Sequence, residues 1–194
     1  MQMRYKRSHV LNIVLVMEAA LLLVATVWTY IAQLDLIALL KTFTPGLMLI
    51  GLALGAGMSL FSLAITIATK RLSNKFPALA SFDEFVRTTL QPIFSEVTPL
   101  DIILIAAASG FCEEVFFRGV LQQQFGLIIA SLIFGLFHYG RKYLIYTVWA
   151  ALAGMLLGAS MEWSHSLWVP ILAHALNNLL SIGMVRYKIG YERQ

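Results

Sequence analysis

The chain has 194 residues, of which 59% are hydrophobic and only 12% charged, with a formal net charge of +4 and a mean hydropathy of +0.79. A soluble domain is about half apolar and a quarter charged, so this balance excludes one, and the small positive charge sits at segment ends, which argues against nucleic-acid binding. The single cysteine, Cys112, excludes an internal disulfide and a cysteine-rich zinc site.

The predicted elements follow in chain order. Val10 to about Gln33 is apolar for long enough to cross a bilayer, which takes about 20 residues at 1.5 Å each. It follows Arg4, Lys6 and Arg7, but it exceeds a signal peptide's apolar region of about 7–15 residues and reads as a retained anchor. The second span runs from about Pro45 to Thr69, with Gly51 and Gly55 at the small-xxx-small spacing that favours plain helix packing. Residues 70–98 interrupt the apolar pattern. Ser81 and Glu84 form an S-x-x-E capping box, Phe82, Phe85, Val86 and Leu90 follow helical spacing, and Pro92 ends the segment, which reads as a short amphipathic helix at the membrane interface.

Thr98-Pro99-x-Asp101 predicts a helix start, with Thr98 capping and Asp101 near the positive end of the helix dipole. That helix carries Glu113, Glu114 and Arg118 to about Gln122. Phe125 to about Tyr139 is a further apolar piece of about 22 Å, shorter than a 30 Å hydrocarbon core. Tyr143 to about Met161 and Ser166 to about Val185 complete six expected spans in an all-α bundle. Arg4, Lys6, Arg7, Lys70, Arg71, Lys75, Arg87, Arg141, Lys142, Arg186, Lys188 and Arg193 then fall on one side, and only Lys41 and Arg118 do not. The positive-inside rule puts that side, with both termini, in the cytoplasm, as expected of a plasma-membrane protein.

The ionisable residues inside these spans carry the functional signal. A carboxylate at membrane depth costs about 2.5–3.5 kcal/mol on insertion scales, and Glu113 and Glu114 stand side by side. Glu114 and Arg118 are four apart, acid before base, which predicts an internal ion pair with a supporting role. Glu113, about 100° round the helix, is left for chemistry as a base that activates water. His138, His174 and Asn178 lie on other spans, the last two on one face. Glu, His and His are also the ligand types of a three-ligand zinc site, so Glu113, His138 and His174 are the candidate metal set. No two of them share the tight helical spacing of zinc protease motifs, which favours metal-free water activation. Straight vertical helices would keep Glu113 and His138 apart, so tilt or a water-filled cavity is required. Ser109, Ser131, Ser160 and Ser181 lack a distinctive nucleophile context, and Cys112 reads as buried and inert.

Glu113-Glu114-x-x-x-Arg118, Phe134-x-x-x-His138 and His174-x-x-x-Asn178 resemble, in order, the three motifs of the CPBP intramembrane proteases, the CAAX-protease and bacteriocin-processing (Abi) family. The resemblance covers roughly 98–185. It implies a catalytic core there, preceded by two spans and the interfacial helix over 1–97 and followed by a tail over 186–194. It further implies an endopeptidase acting on a membrane-associated peptide or protein. In it Glu113 activates water with help from His138, Glu114 and Arg118 support, and His174 and Asn178 steady the oxyanion. In the metalloprotease view of the family, His174 joins a metal site instead. Asn177 has no assigned role. A catalytically silent immunity or scaffold protein that binds a peptide in the same cavity is the alternative reading. A proton-coupled transporter is a third, and it would predict inverted repeats that the sequence lacks.

Overall fold

The computed structural model describes residues 5–72, 75–139 and 143–190. Arg4, Arg141, Lys142 and Arg193, and the side chain of Lys70, lie outside the described residues. All the regular structure described is helical. Among the described residues, five helices are long and apolar enough to cross a membrane: Arg7–Ala32, Pro45–Thr69, Pro99–Phe137, Leu144–Ser164 and Trp168–Tyr187.

Helix α1 (Arg7–Ala32) leads into a short α2 (Leu36–Lys41), then α3 (Pro45–Leu72). Helix α4 (Pro77–Phe85) continues through a π turn, Val86–Leu90, into α5 (Gln91–Phe94). Helix α6 (Pro99–Phe116) runs through a second π turn, Phe117–Leu121, into α7 (Gln122–Phe137), and α8 (Leu144–Ser164) and α9 (Trp168–Tyr187) close the bundle.

The fourth expected span is not a separate crossing helix. It is the returning arm of a helix bent at Gly126, whose φ of 80° and ψ of 168° are open mainly to glycine. A straight helix would hold positions 113 and 138 roughly 37 Å apart. Instead Phe134 packs on Phe117, ring centroids 4.9 Å apart, and Phe137 on Phe117 at 5.4 Å. The chain therefore doubles back, and the arm ends level with Glu113.

The segment 77–94 departs from expectation at both ends. Helix α4 begins at Pro77, with Phe76 ahead of it, so Ser81 lies inside the helix and makes no capping box. Proline at the first helical position presets φ and needs no partner for a missing N–H, which starts the helix a turn early. Pro92 does not end it. The preceding π turn bonds the Gln91 N–H to the Val86 carbonyl, five residues back, and that wider turn lets the chain reach Pro92 without a break. The apolar face is turned onto the bundle: Phe85 and Val86 are buried, and the Phe85 ring meets Tyr143 and Tyr146 at 5.0 and 4.6 Å.

At the start of α6 the Thr98 and Asp101 side chains cap each other's backbone as the spacing predicts. Asp101 also takes Arg7 Nε and Nη2 at 2.5 and 2.8 Å, which ties α1 to α6. Helix α9 is wedged between α3 and α6. A Cβ at Gly55 would lie 2.5 Å from the Ala173 carbonyl oxygen, and one at Gly110 2.7 Å from Ala175 Cβ. Small residues therefore let both neighbours approach closely, the role expected of Gly51 and Gly55. Ala173 and Ala175 flank His174, so the two contacts also fix which way His174 faces.

Candidate active site

Two polar groups form around α6, one facing a cavity and one sealed behind it. The sealed group is built on Glu114, which is fully buried. Arg118 Nε lies 3.1 Å from Glu114 Oε2 across one helical turn. His174 Nδ1 lies 2.7 Å from the other oxygen, Oε1, and donates its hydrogen to that carboxylate. Arg118 Nη2 donates to the Gly154 carbonyl of α8 at 3.0 Å. Its guanidinium also stands over the Phe134 ring, 4.6 Å from the centroid, a favourable cation–π placement in a desolvated site. Glu114 and Arg118 thus make the i,i+4 pair that the sequence predicts, and His174 joins them.

The open group lines a cavity of about 300 Å³ between α1, α3, α6 and α9. Glu113, Asn178, Ser109 and His138 lie on its wall, and Phe82, Val86, Leu90 and Phe94 of the segment 77–94 contribute an apolar side. Glu113 Oε2 is 4.0 Å from His138 Nε2. His138 Nδ1 is 2.9 Å from the Phe134 carbonyl oxygen. A carbonyl only accepts, so Nδ1 carries a hydrogen, and the ring turns Nε2 toward Glu113. Asn178 Nδ2 donates to Ser109 Oγ at 2.8 Å, which leaves its second amide hydrogen unused by that bond. Asn177 also lines the cavity and accepts from Ser59 Oγ at 3.4 Å.

Phe134 connects the two groups. Its ring is 4.6 Å from that of His138 and 5.8 Å from that of His174. The π turn immediately after Glu113 and Glu114 bears Arg118, and such turns recur at functional sites because they re-aim side chains. Cys112 is buried. Ser131 and Ser160 spend their hydroxyls on carbonyls within their own helices.

His174 holds Nδ1 against Glu114 and His138 holds Nδ1 against the Phe134 carbonyl, which leaves Nε2 of each ring open to another partner, as in a metal-ligating histidine. Among the described residues no three His, Cys, Asp or Glu side chains converge as ligands.

A further acidic residue outside the motifs also belongs to the site. Glu18, in the middle of α1, is 7% exposed, lines the same cavity, and has its Oε2 without a hydrogen-bond partner. Its signal in the sequence was the same as that of Glu113, an acid at membrane depth, but it stands alone in an apolar run with no basic residue a turn away.

The fold and the site together define a helical integral-membrane protein with a polar, cavity-lined centre. Residues 95–180 match the family model of type II CAAX prenyl endopeptidases, Rce1-like. That segment carries Glu113, Glu114, Arg118, His138, His174 and Asn178, and its similarity is to the Rce1-like family. A Bacillus subtilis (strain 168) protein described as uncharacterized protein YpbD is 38% identical over 98 residues, covering 50% of this chain and 51% of that one. The chain thus aligns with about half the length of this relative. No solved structure matches it.

Proposed function

We propose that the protein is an intramembrane endopeptidase that hydrolyses a peptide bond of a membrane-associated peptide or protein. The observation that carries this reading is the pair Glu113 and His138, two acceptors 4.0 Å apart on one cavity wall. That distance is too long for a direct hydrogen bond and suits two groups that address one water molecule. One water hydrogen goes to the Glu113 carboxylate and the other to His138 Nε2, which leaves the water oxygen free to attack the scissile carbonyl. Glu113 takes the proton as general base and returns it to the leaving amine.

Asn178 supplies a donor for the developing oxyanion, with Ser109 holding its amide in place. His174 adds a second donor when its Nε2 carries a hydrogen, since Glu114 takes Nδ1. Glu114 and Arg118 orient that imidazole and balance charge. No step is routed through a metal. By the positive-inside rule, both termini face the cytoplasm of a plasma membrane. The Rce1-like match supports a CAAX-type substrate, a farnesylated peptide ending in the C-a-a-X pattern.

The test is a cleavage assay on membranes containing the protein, with farnesylated and unprenylated C-a-a-X peptides read by mass spectrometry. The wild type releases the C-terminal fragment and Glu113→Gln releases none above background. A chelator leaves the purified protein active. Equal cleavage by Glu113→Gln overturns the assignment. Loss with chelator, reversed by zinc, overturns the metal-free route alone.

A further inference from the structure

Glu18 lies outside the segment that matches the family model, and the hydrolytic scheme above does not use it. Yet it is deep in the bundle, on the wall of the same cavity as Glu113. Its carboxyl is within hydrogen-bonding reach of the Glu113 carboxyl. Each of the two carboxyls has a buried Oε2 with no partner, an arrangement that costs stability unless something sits between them.

We infer that Glu18 is a positioning residue of the hydrolytic site, its carboxyl sharing one proton with Glu113 and holding that side chain against the cavity wall. This rests on the proposed endopeptidase reading for its catalytic consequence, though not for the shared proton itself.

The charge inventory supports it. His138 faces Glu113 from the end of α7 and Tyr146 lines the same cavity from α8, while His174 of α9 stands behind on Glu114 and Cys112 precedes Glu113 on α6. Arg118 is the fixed cation of this cluster, and Glu114 already takes it. With every carboxyl ionised, Glu18, Glu113 and Glu114 would stand against that single guanidinium. Two like charges in one desolvated site do not both ionise, and a proton held between the carboxyls gives each a partner, with Glu113 Oε2 remaining the oxygen that faces His138. The hydrogen bond leaves the second oxygen of Glu113 free for His138 and water. A glutamine at position 18 keeps a donor for Glu113, whereas an alanine does not.

Two measurements test the inference on the full-length protein purified in detergent. Infrared spectroscopy reads the C=O stretch of a protonated carboxyl, identified by its shift in D2O. The wild type shows such a band, Glu18→Gln loses it, and Glu113→Gln moves it, because the proton belongs to both. A band unchanged in Glu18→Gln overturns the shared proton. This readout stands whether or not the protein cleaves the farnesylated peptide, so failure of the endopeptidase reading shows up separately, as a wild type without cleavage. In the cleavage assay, Glu18→Ala lowers kcat by about 10- to 100-fold, the loss of a hydrogen bond to a charged group, with KM little changed. Glu18→Gln stays within a few-fold of wild type. Wild-type turnover in Glu18→Ala overturns the positioning role. If Glu18→Ala does not accumulate, the glutamine variant and its infrared spectrum decide.

Discussion

At the scale of single residues, the sealed group carries the largest stability consequence. Arg118 and Glu114 are 1% and 0% exposed, so deleting one partner leaves an unpaired charge in a dry interior. Arg118→Ala is expected to destabilise the fold by about 3–5 kcal/mol, read as reduced abundance of a tagged protein and a lower unfolding temperature. Normal abundance with normal activity would remove the supporting role. Asn178 belongs to the open group, and its loss touches rate rather than fold. Asn178→Ala is expected to lower turnover by about 10²–10³-fold at ordinary abundance, and turnover equal to wild type would remove it from the oxyanion. Much of this site was legible because the i,i+4 spacing of Glu114 and Arg118 and the isolated polarity of His138 and Asn178 are local signals. The bond between His174 and Glu114 was not legible, since it depends on how α9 is rotated, which small residues on α3 and α6 decide. Glu18 escaped for a similar reason: its neighbours in sequence are apolar, and its neighbour in space is Glu113.

At the scale of elements, hydropathy located every long helix, and what it left out was the bend. Phe125 to Tyr139 is too short to cross and carries a glycine in its second position, yet no pattern distinguishes a tilted helix from an arm that folds back. The φ of 80° at Gly126 is the local cause. Gly126→Ala forces a Cβ into that conformation, at about 1–3 kcal/mol, and the strain is relieved by straightening the turn that delivers His138. The expected outcome is a larger loss of cleavage than of abundance. An alanine variant with unaltered kcat and unfolding temperature would show that the bend survives without glycine. The segment 77–94 makes the same point from the other side. Its amphipathic spacing was readable, but the early start at Pro77 and the passage through Pro92 depend on proline geometry and a π turn, neither of which hydrophobic periodicity reports.

At the scale of the whole molecule, the doubled-back helix settles how the ends are related. Helix α7 returns toward α6 and α8 packs along it, as Gly158 near Gln122 and Leu127 and Gly154 near Phe134 show. Arg7 at one end of α1 meets Asp101 at the start of α6, and Arg186 near the end of α9 donates to the Val97 carbonyl at 3.0 Å. The start of α1 and the end of α9 therefore sit together at the pole where α6 begins. Ser166 and Trp168 instead bond the Thr42 and Leu40 carbonyls, which puts α2 at the opposite pole. Reporter fusions at Asp35 and Gln194 are expected to report opposite sides of the membrane, the Gln194 fusion cytoplasmic. Same-side signals would refute the topology. The ion pair on α6 has one further consequence, for biosynthesis. Because Arg118 lies one turn after Glu114 on the same helix, that segment brings its own counter-ion when it leaves the translocon. His174 follows 60 residues later, so the hairpin can settle in the lipid with Glu114 already paired and wait for the last helix to be made.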